Sequence, residues 1–280
     1  MGQTLSAPVT EKHSSTGNND RLAFGQSAMQ GWRATMDDAH TILLDVEGAP
    51  GTAFFAVYDG HGGDTVAKYS GDHLHKNIFA DAAFGEKEFK TAIRNGFLKT
   101  DRALHLDPDC NSESSGCTAI TATITDNNML YVGNAGDSRA VLSRDGKAVA
   151  MSTDHKPTDF DESTRILFSG GYVENGRVNG LLATSRALGD FGFKLTDTSD
   201  PGDQIVIAVP DIVEHELADE DEFLVLACDG IWDCMSSQQL ISFVPDAGTL
   251  TIAGCDNMTM VVVAFLNGRT VEEWPLYSIV

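Results

Sequence analysis

Apolar residues in the middle of this chain gather in short runs that end at Gly, Asn or Asp, and the runs are rich in β-branched and aromatic side chains. Such segments predict strands at Ala53–Tyr58, Ala119–Thr125, Met129–Val132, Ala140–Ser143, Ile205–Val209, Phe223–Cys228 and Met260–Leu266. Between them the period changes. From Glu86 to Leu106, Phe89, Ile93 and Phe97 recur every fourth residue and Leu104 falls a heptad later on the same face, the pattern of an amphipathic helix. A second helix is predicted from about Asp64 to Phe79, and Ser236-Ser237-Gln238-Gln239 has the spacing of a capping box that opens a third. Hairpin-like turns at Asp126-Asn127-Asn128 and Asp145-Gly146 favour antiparallel pairs over a βαβ repeat, with helices packed outside the sheets. The class is a layered α+β fold. Residues 1–20, rich in Ser, Thr, Asn and Gly without an apolar period, read as a mobile arm, and the folded part is expected from Arg21.

With 280 residues and 42% hydrophobic content, the chain can bury one sizeable core, and one domain is expected. A formal charge of −22 repels phosphodiester backbones, which argues against nucleic acid and is compatible with divalent cations. Part of that charge, such as Asp219-Glu220-Asp221-Glu222, reads as solvated surface. Five cysteines at irregular spacing make no disulfide framework, and Cys228 and Cys234 read as buried thiols rather than zinc ligands. No window approaches the ~18 apolar residues of a membrane span, and the N-terminus lacks a secretory layout. A cytoplasmic protein is expected, with nuclear or peripheral membrane location as alternatives. Met1-Gly2-Gln3-Thr4-Leu5-Ser6 fits an acylation pattern with Gly2 as acceptor; a single acyl chain supports only weak, reversible membrane contact.

Chemistry enters through three aspartates beside strand-like runs: Asp59 after Ala56-Val57-Tyr58, Asp229 after Leu226-Ala227-Cys228, and Asp256 before Met260–Leu266. Antiparallel or neighbouring strands would bring these carboxylates to one sheet edge, where they would bind a divalent metal. Asp59-Gly60-His61-Gly62-Gly63 stands just before a predicted helix whose N-terminus favours anions, so it reads either as a phosphate and metal turn or as a plain strand-to-helix turn. Asp233 gives Asp229 a companion four residues on, and Asp137 follows another strand-like run. The adjacent Asp37 and Asp38 are either surface residues or members of a metal site, since neighbouring like charges are costly to desolvate without a cation. Arg33 offers a planar fork for phosphate or a salt bridge to Asp37. Trp32 reads as a core residue, with a stacking platform as the alternative. A calcium-binding module lacks support, because no D-x-[DN]-x-[DN]-G loop is present.

These pieces resemble the metal-dependent protein serine/threonine phosphatases of type 2C, from about Leu22 to Leu266. The resemblance rests on Gly31-Trp32-Arg33, Asp37-Asp38-Ala39-His40, Phe55–Gly63, Gly116-Cys117-Thr118-Ala119, Asn134–Arg139, Asp154-His155-Lys156-Pro157, Ser185–Asp190, Asp229–Asp233 and Gly254–Thr259, all in family order. It implies a four-layer αββα sandwich, two antiparallel sheets flanked by helices, with a two-metal centre at one end. Asp59 would bridge two Mn²⁺ or Mg²⁺ ions, Asp229 and Asp256 would hold the first, and the Gly60 carbonyl would help hold the second. Asp37 and Asp38 would act mostly through bound water, although Asp37 stands where the family commonly has glutamate. Thr118 would lie near the metals, and Asp137 with Asp229 and Asp233 would form a weaker third site.

The implied function is hydrolysis of phosphoserine and phosphothreonine in phosphoproteins by metal-activated water, with Arg33 on the phosphate and His61 protonating the leaving oxygen. Residues 21–268 would form the phosphatase domain and 269–280 a tail of a monomer. After Pro245 the chain reaches Gly254 within a few residues, where family members usually have a longer helical stretch. One outer helical layer would then be shortened after residue 245, exposing surface on that side. A catalytically weak scaffold that binds metal or phosphoprotein is the alternative this shortening raises. Gly170–Gly180 and Asp190–Asp203 bracket a region that forms a mobile flap near substrate in the family.

Overall fold

The computed structural model describes residues 4–111, 115–194, 200–246, 254 and 256–273. The long strands β1 (Thr4–Asn18) and β2 (Leu22–Arg33) are followed by β3 (Ala39–Leu43), β4 (Ala53–Tyr58) and the short β5 (Gly60–His61). Helices α1 (Thr65–Phe79), α2 (Ala82–Gly85), α3 (Phe89–Leu106) and α4 (Pro108–Asn111) come next. The chain then forms β6 (Gly116–Cys117), β7 (Ala119–Ile124), β8 (Met129–Ala135), β9 (Arg139–Arg144) and β10 (Lys147–Ala150). Helix α5 (Phe160–Phe168) leads into β11 (Val173–Glu174), β12 (Arg177–Val178) and β13 (Leu188–Gly189). Strands β14 (Asp211–Glu216) and β15 (Asp221–Ala227), helices α6 (Asp229–Trp232) and α7 (Ser237–Phe243), and β16 (Met258–Phe265) follow.

Two large antiparallel sheets carry the fold, one ordered β1-β2-β16-β15-β9-β10 and the other β14-β8-β7-β4-β3. Side-chain alternation assigns each strand two faces. From β4, Phe55 and Val57 point between the sheets, where they meet Ile120 and Ala122 of β7 and Leu224, Leu226, Val261 and Val263 of the other sheet. Phe54 and Tyr58 point outward and are covered by Leu74 and Ile78 of α1 and by Ile93, Phe97 and Leu104 of α3. Both faces of β4 are therefore dry, which is why its sequence is an unbroken apolar run rather than an alternation. The outer face of the six-stranded sheet packs Phe223, Val225 and Val262 against Ile231, Trp232, Leu240 and Ile241 of α6 and α7. Ser236 caps α7 with the reciprocal Gln239 contact of a capping box.

The layered sandwich agrees with the sequence reading, and particular elements differ. Thr4–Asn18, expected within a mobile arm, forms β1, an edge strand hydrogen-bonded along β2. Its sequence lacks an apolar period because neither face is buried; Ser14 and Ser15 instead bond Ser27 and Gln26. Ile205–Val209, expected as a strand, has a single bridge from Ile207 to Arg186, and Ile205 and Val206 pack on Ile166, Val178 and Ala187. The strand of that stretch is β14, just downstream. On the side expected to open beside the shortened layer, Phe223, Leu240 and Val262 are buried, in one cluster with Ile231, Trp232 and Ile241. Exposed apolar side chains lie instead at Phe160, Phe168 and Leu181, around α5 and the β11–β12 hairpin. The shortening itself falls on 247–253 and 255, outside the described residues, as do Gly2 and 274–280 of the expected tail. No described helix is long and apolar enough to cross a membrane.

Candidate active site

Strand register gathers the acidic residues at one end of the sandwich. Ala39 of β3 pairs with Tyr58 of β4, so Asp38, just before β3, stands beside Asp59, just after β4. Ala227 of β15 pairs with Met260 of β16, which sets Asp229 near Asp256. Ala119 of β7 pairs with Ala135 of β8, placing Asp137 past the same edge. Met258 pairs with Met29 of β2, which brings Arg33 to Asp256 although 223 positions separate them in sequence. Asp38, Asp59 and the Cys228 thiol lie with ligand atoms within 4.8 Å of one another.

The electrostatics are those of crowded, half-buried carboxylates. Burial pushes Asp38 up to about 7, with the Asp256 and Asp229 charges adding to it against hydrogen bonds from Thr259 and Cys228. Burial also lifts Asp59 well above the aspartate range, reinforced by Asp38, Asp229, Asp137 and Asp256. Asp229 is raised to about 6 by burial and by the charges of Asp137 and Asp256. Thr259 Oγ1 donates to Asp38 Oδ2 at 2.6 Å, while Asp38 Oδ1 is buried without a hydrogen-bond partner. Hard oxygen donors, mutually repelling carboxylates and the orphaned, buried Oδ1 of Asp38 fit a divalent cation such as Mg²⁺ or Mn²⁺.

The other expected site residues are placed as follows. Arg33 pairs with Asp256 rather than with Asp37. Asp37 enters the site through its backbone: its N–H donates to Asn257 Oδ1 at 2.9 Å. Its carbonyl packs on Gly60, where any Cβ would collide with it, so only glycine allows that approach. Thr118 faces Ser138, hydroxyl to hydroxyl at 2.7 Å, and contributes to the cluster by donating its N–H to the Asp59 carbonyl at 2.9 Å. Asp137 is buried and accepts from Lys156 Nζ at 2.6 Å. Asp233 is exposed at the end of α6, one turn from Asp229, whose carboxyl its charge helps to raise. Trp32 is half-buried. His61 lies with Nε2 2.7 Å from Asp190 Oδ2; burial alone would lower its pKa, and the Asp190 carboxylate outweighs that and raises it.

Four contributors escape a reading by residue type. Asp190 belongs to a motif quoted above, yet its contact spans 129 positions. Asn257 Nδ2 donates to the carbonyls of Gln30 at 2.8 Å and Thr35 at 2.9 Å, clamping the 30–37 segment to the start of β16. Thr259 holds Asp38, and the Cys228 thiol, expected to be inert, stands inside the carboxylate cluster with its pKa driven well up by burial and by Asp38 and Asp59. Asp190, Asn257 and Thr259 lie within the motifs quoted above, but their contacts carry no local signal, because each acts on a partner distant in sequence.

Comparison with known proteins assigns the class. Residues 22–251 match the family described as protein phosphatase 2C. The protein phosphatase 2C homolog 2 of Schizosaccharomyces pombe is 48% identical, over 98% of this chain and 81% of that protein. A probable protein phosphatase 2C of Caenorhabditis elegans is 47% identical over 96% of this chain and 82% of that one. Among solved structures, a phosphatase from a pathogenic strain of Toxoplasma gondii superposes with TM-score 0.81 at 26% identity, covering 92% of this chain and 96% of that one. The chain belongs to the protein phosphatase 2C family and is a metal-dependent serine/threonine protein phosphatase. The S. pombe alignment runs over 300 positions against the 280 residues here, so that relative carries residues this chain lacks. Among the described residues nothing favours the catalytically weak scaffold.

Proposed function

We propose that this phosphatase uses two divalent ions, Mn²⁺ or Mg²⁺, held by Asp59, Asp229, Asp256 and the Gly60 carbonyl, with Asp37 and Asp38 acting mostly through water. Asp137, Asp229 and Asp233 would hold a third, weaker ion. The observation that carries this reading is the convergence of Asp38, Asp59 and Asp229 with pKa values lifted by burial and mutual repulsion. Bound cations supply Lewis acidity that activates water near neutral pH and neutralises a phosphate dianion. The chain's own residues do the rest. Arg33 binds the non-bridging phosphate oxygens with its planar fork, and His61 gives its proton to the departing seryl or threonyl oxygen. Lys156, bonded to Asp137, offsets charge where the third ion would sit.

The substrates in this reading are phosphoproteins, and the exposed Tyr172 and Leu181 lie in or beside the region, bracketed by Gly170–Gly180 and Asp190–Asp203, proposed as a substrate-facing flap. The chain would act as a monomer in the cytoplasm, with weak membrane contact if Gly2 is acylated; the phosphatase domain, expected over 21–268, would also include β1, which belongs to its six-stranded sheet. Calorimetric titration with Mn²⁺ tests the ligand assignment. Asp229→Asn should lose at least one binding event, whereas His61→Gln should titrate like the parent. Equal loss of binding in both variants would contradict the division of roles.

A further inference from the structure

The turn after β13 sets a strained aspartate against His61. Asp190 is 5% exposed and adopts φ 52°, ψ 41°, a left-handed conformation uncommon outside glycine. Such strain persists only where the surroundings impose it, and here they do. The Asp190 N–H donates to the Ser115 carbonyl at 3.1 Å. On α3, Asp101 accepts from the Gly189 N–H at 2.9 Å and from Lys194 Nζ at 2.7 Å, so both flanks of Asp190 are tied to one helix. Lys194, almost fully buried, also donates to the Ala187 carbonyl at 2.8 Å. Across the contact lies Gly116, where a Cβ would fall on the Asp190 carboxylate and on His61 Nε2. The fold thus spends backbone strain, a buried lysine and an obligatory glycine on one carboxylate–imidazole contact of 2.7 Å.

We propose that Asp190 is the positioning residue of His61: by accepting the Nε2 hydrogen it fixes the ring and leaves Nδ1 as the nitrogen that delivers the proton. The inference rests on the reading of His61 as proton donor. In the step it serves, a water oxygen bonds to phosphorus and the bond from phosphorus to the seryl or threonyl oxygen breaks. The departing oxygen takes the Nδ1 proton, and the proton lost by the water passes to solvent, from which the imidazole is reprotonated. A partner carboxylate on the far nitrogen is the usual device for holding a histidine in one tautomer and orientation.

Leaving-group dependence separates orientation of the donor from general structural support. A phosphothreonine peptide releases a strongly basic alkoxide and needs the proton, while p-nitrophenyl phosphate releases a stable phenolate and hardly needs it. Asp190→Gly removes the carboxylate yet tolerates the left-handed turn; Asp190→Asn also suits that turn and keeps an acceptor. With the Mn²⁺-loaded full chain, Asp190→Gly should lower kcat on the peptide about 10–100-fold, with a loss on p-nitrophenyl phosphate about tenfold smaller, and Asp190→Asn should restore part of it. In a His61→Gln background the Asp190→Gly change should add little. At a pH above the titration of His61, the nitrogen chemical shifts of the neutral ring should show the Nε2–H tautomer in the parent and a tautomer mixture in Asp190→Gly. Equal loss on both substrates, or a full additional loss in the His61→Gln background, would overturn the inference alone. Should His61→Gln itself fail to discriminate the two substrates, the proton-donor reading falls and takes the inference with it.

Discussion

The guanidinium of Arg33, at the end of β2, pairs with the carboxylate of Asp256, two residues before β16 begins. The side chain proposed to bind phosphate is thereby engaged with one proposed to bind metal, and a cation at Asp256 and a phosphate at Arg33 would each draw one partner away. Both side chains are partly exposed, so the pair is screened and modest in strength. Arg33→Ala should raise KM for a phosphopeptide about tenfold or more through loss of charge-assisted phosphate contacts. The same change should tighten Mn²⁺ binding about two- to fivefold, because Asp256 loses a competing cation. Steady-state kinetics and calorimetry check the two halves separately; weaker Mn²⁺ binding would show that Arg33 supports the metal site instead.

The raised carboxyls make a prediction about pH. A carboxyl whose folded pKa exceeds its unfolded value binds protons on folding, so its contribution favours the folded chain at low pH and is lost as pH rises through the folded value. For Asp38 that window runs from 3.8 to about 7, and for Asp229 from 3.8 to about 6. Metal-free Asp38→Asn should therefore melt higher than the parent at pH 7.5, with a flatter dependence between about pH 4 and 7. Saturating Mn²⁺ should stabilise the parent more than the variant. Calorimetric melts in chelator and in Mn²⁺ provide the comparison, and parallel pH profiles for the two proteins would contradict the assignment.

Asn257 is the support that a reading by residue type passes over. Its side chain holds the Gln30 and Thr35 carbonyls and the Asp37 N–H, while its neighbours Asp256 and Thr259 face the cluster. Supporting groups of this kind typically govern metal affinity by about 10–100-fold. Asn257→Ala should weaken Mn²⁺ binding by about that factor and lower turnover at limiting metal, with recovery at high metal. A defect that persists at saturating Mn²⁺ would place the role of Asn257 outside metal binding.

The legible parts of this protein are those with dry surfaces. Strand β4 is apolar at every position because sheet core lies on one face and helices on the other, and α3 shows its stripe because Ile93, Phe97 and Leu104 all meet the same sheet. Strand β1 is wet on both faces and is held by backbone bonds that any sequence can make, so its fifteen residues carry no pattern. The Ile205–Val206 pair is buried like a strand but packs side chains in an irregular segment, which apolar content cannot distinguish. In the site, Asp59 and Asp229 announce themselves by following apolar runs. The Arg33–Asp256 and His61–Asp190 contacts do not, since strand register over 223 and 129 positions creates them.

Release of phosphate from a phosphothreonine peptide, followed with Mn²⁺, after chelation and after Mn²⁺ is restored, tests most directly whether the clustered carboxylates act through divalent cations. Release should stop with chelator, return with Mn²⁺, and fall by at least about a hundredfold in Asp59→Asn. Release that continues in excess chelator, or that Asp59→Asn leaves intact, would contradict it.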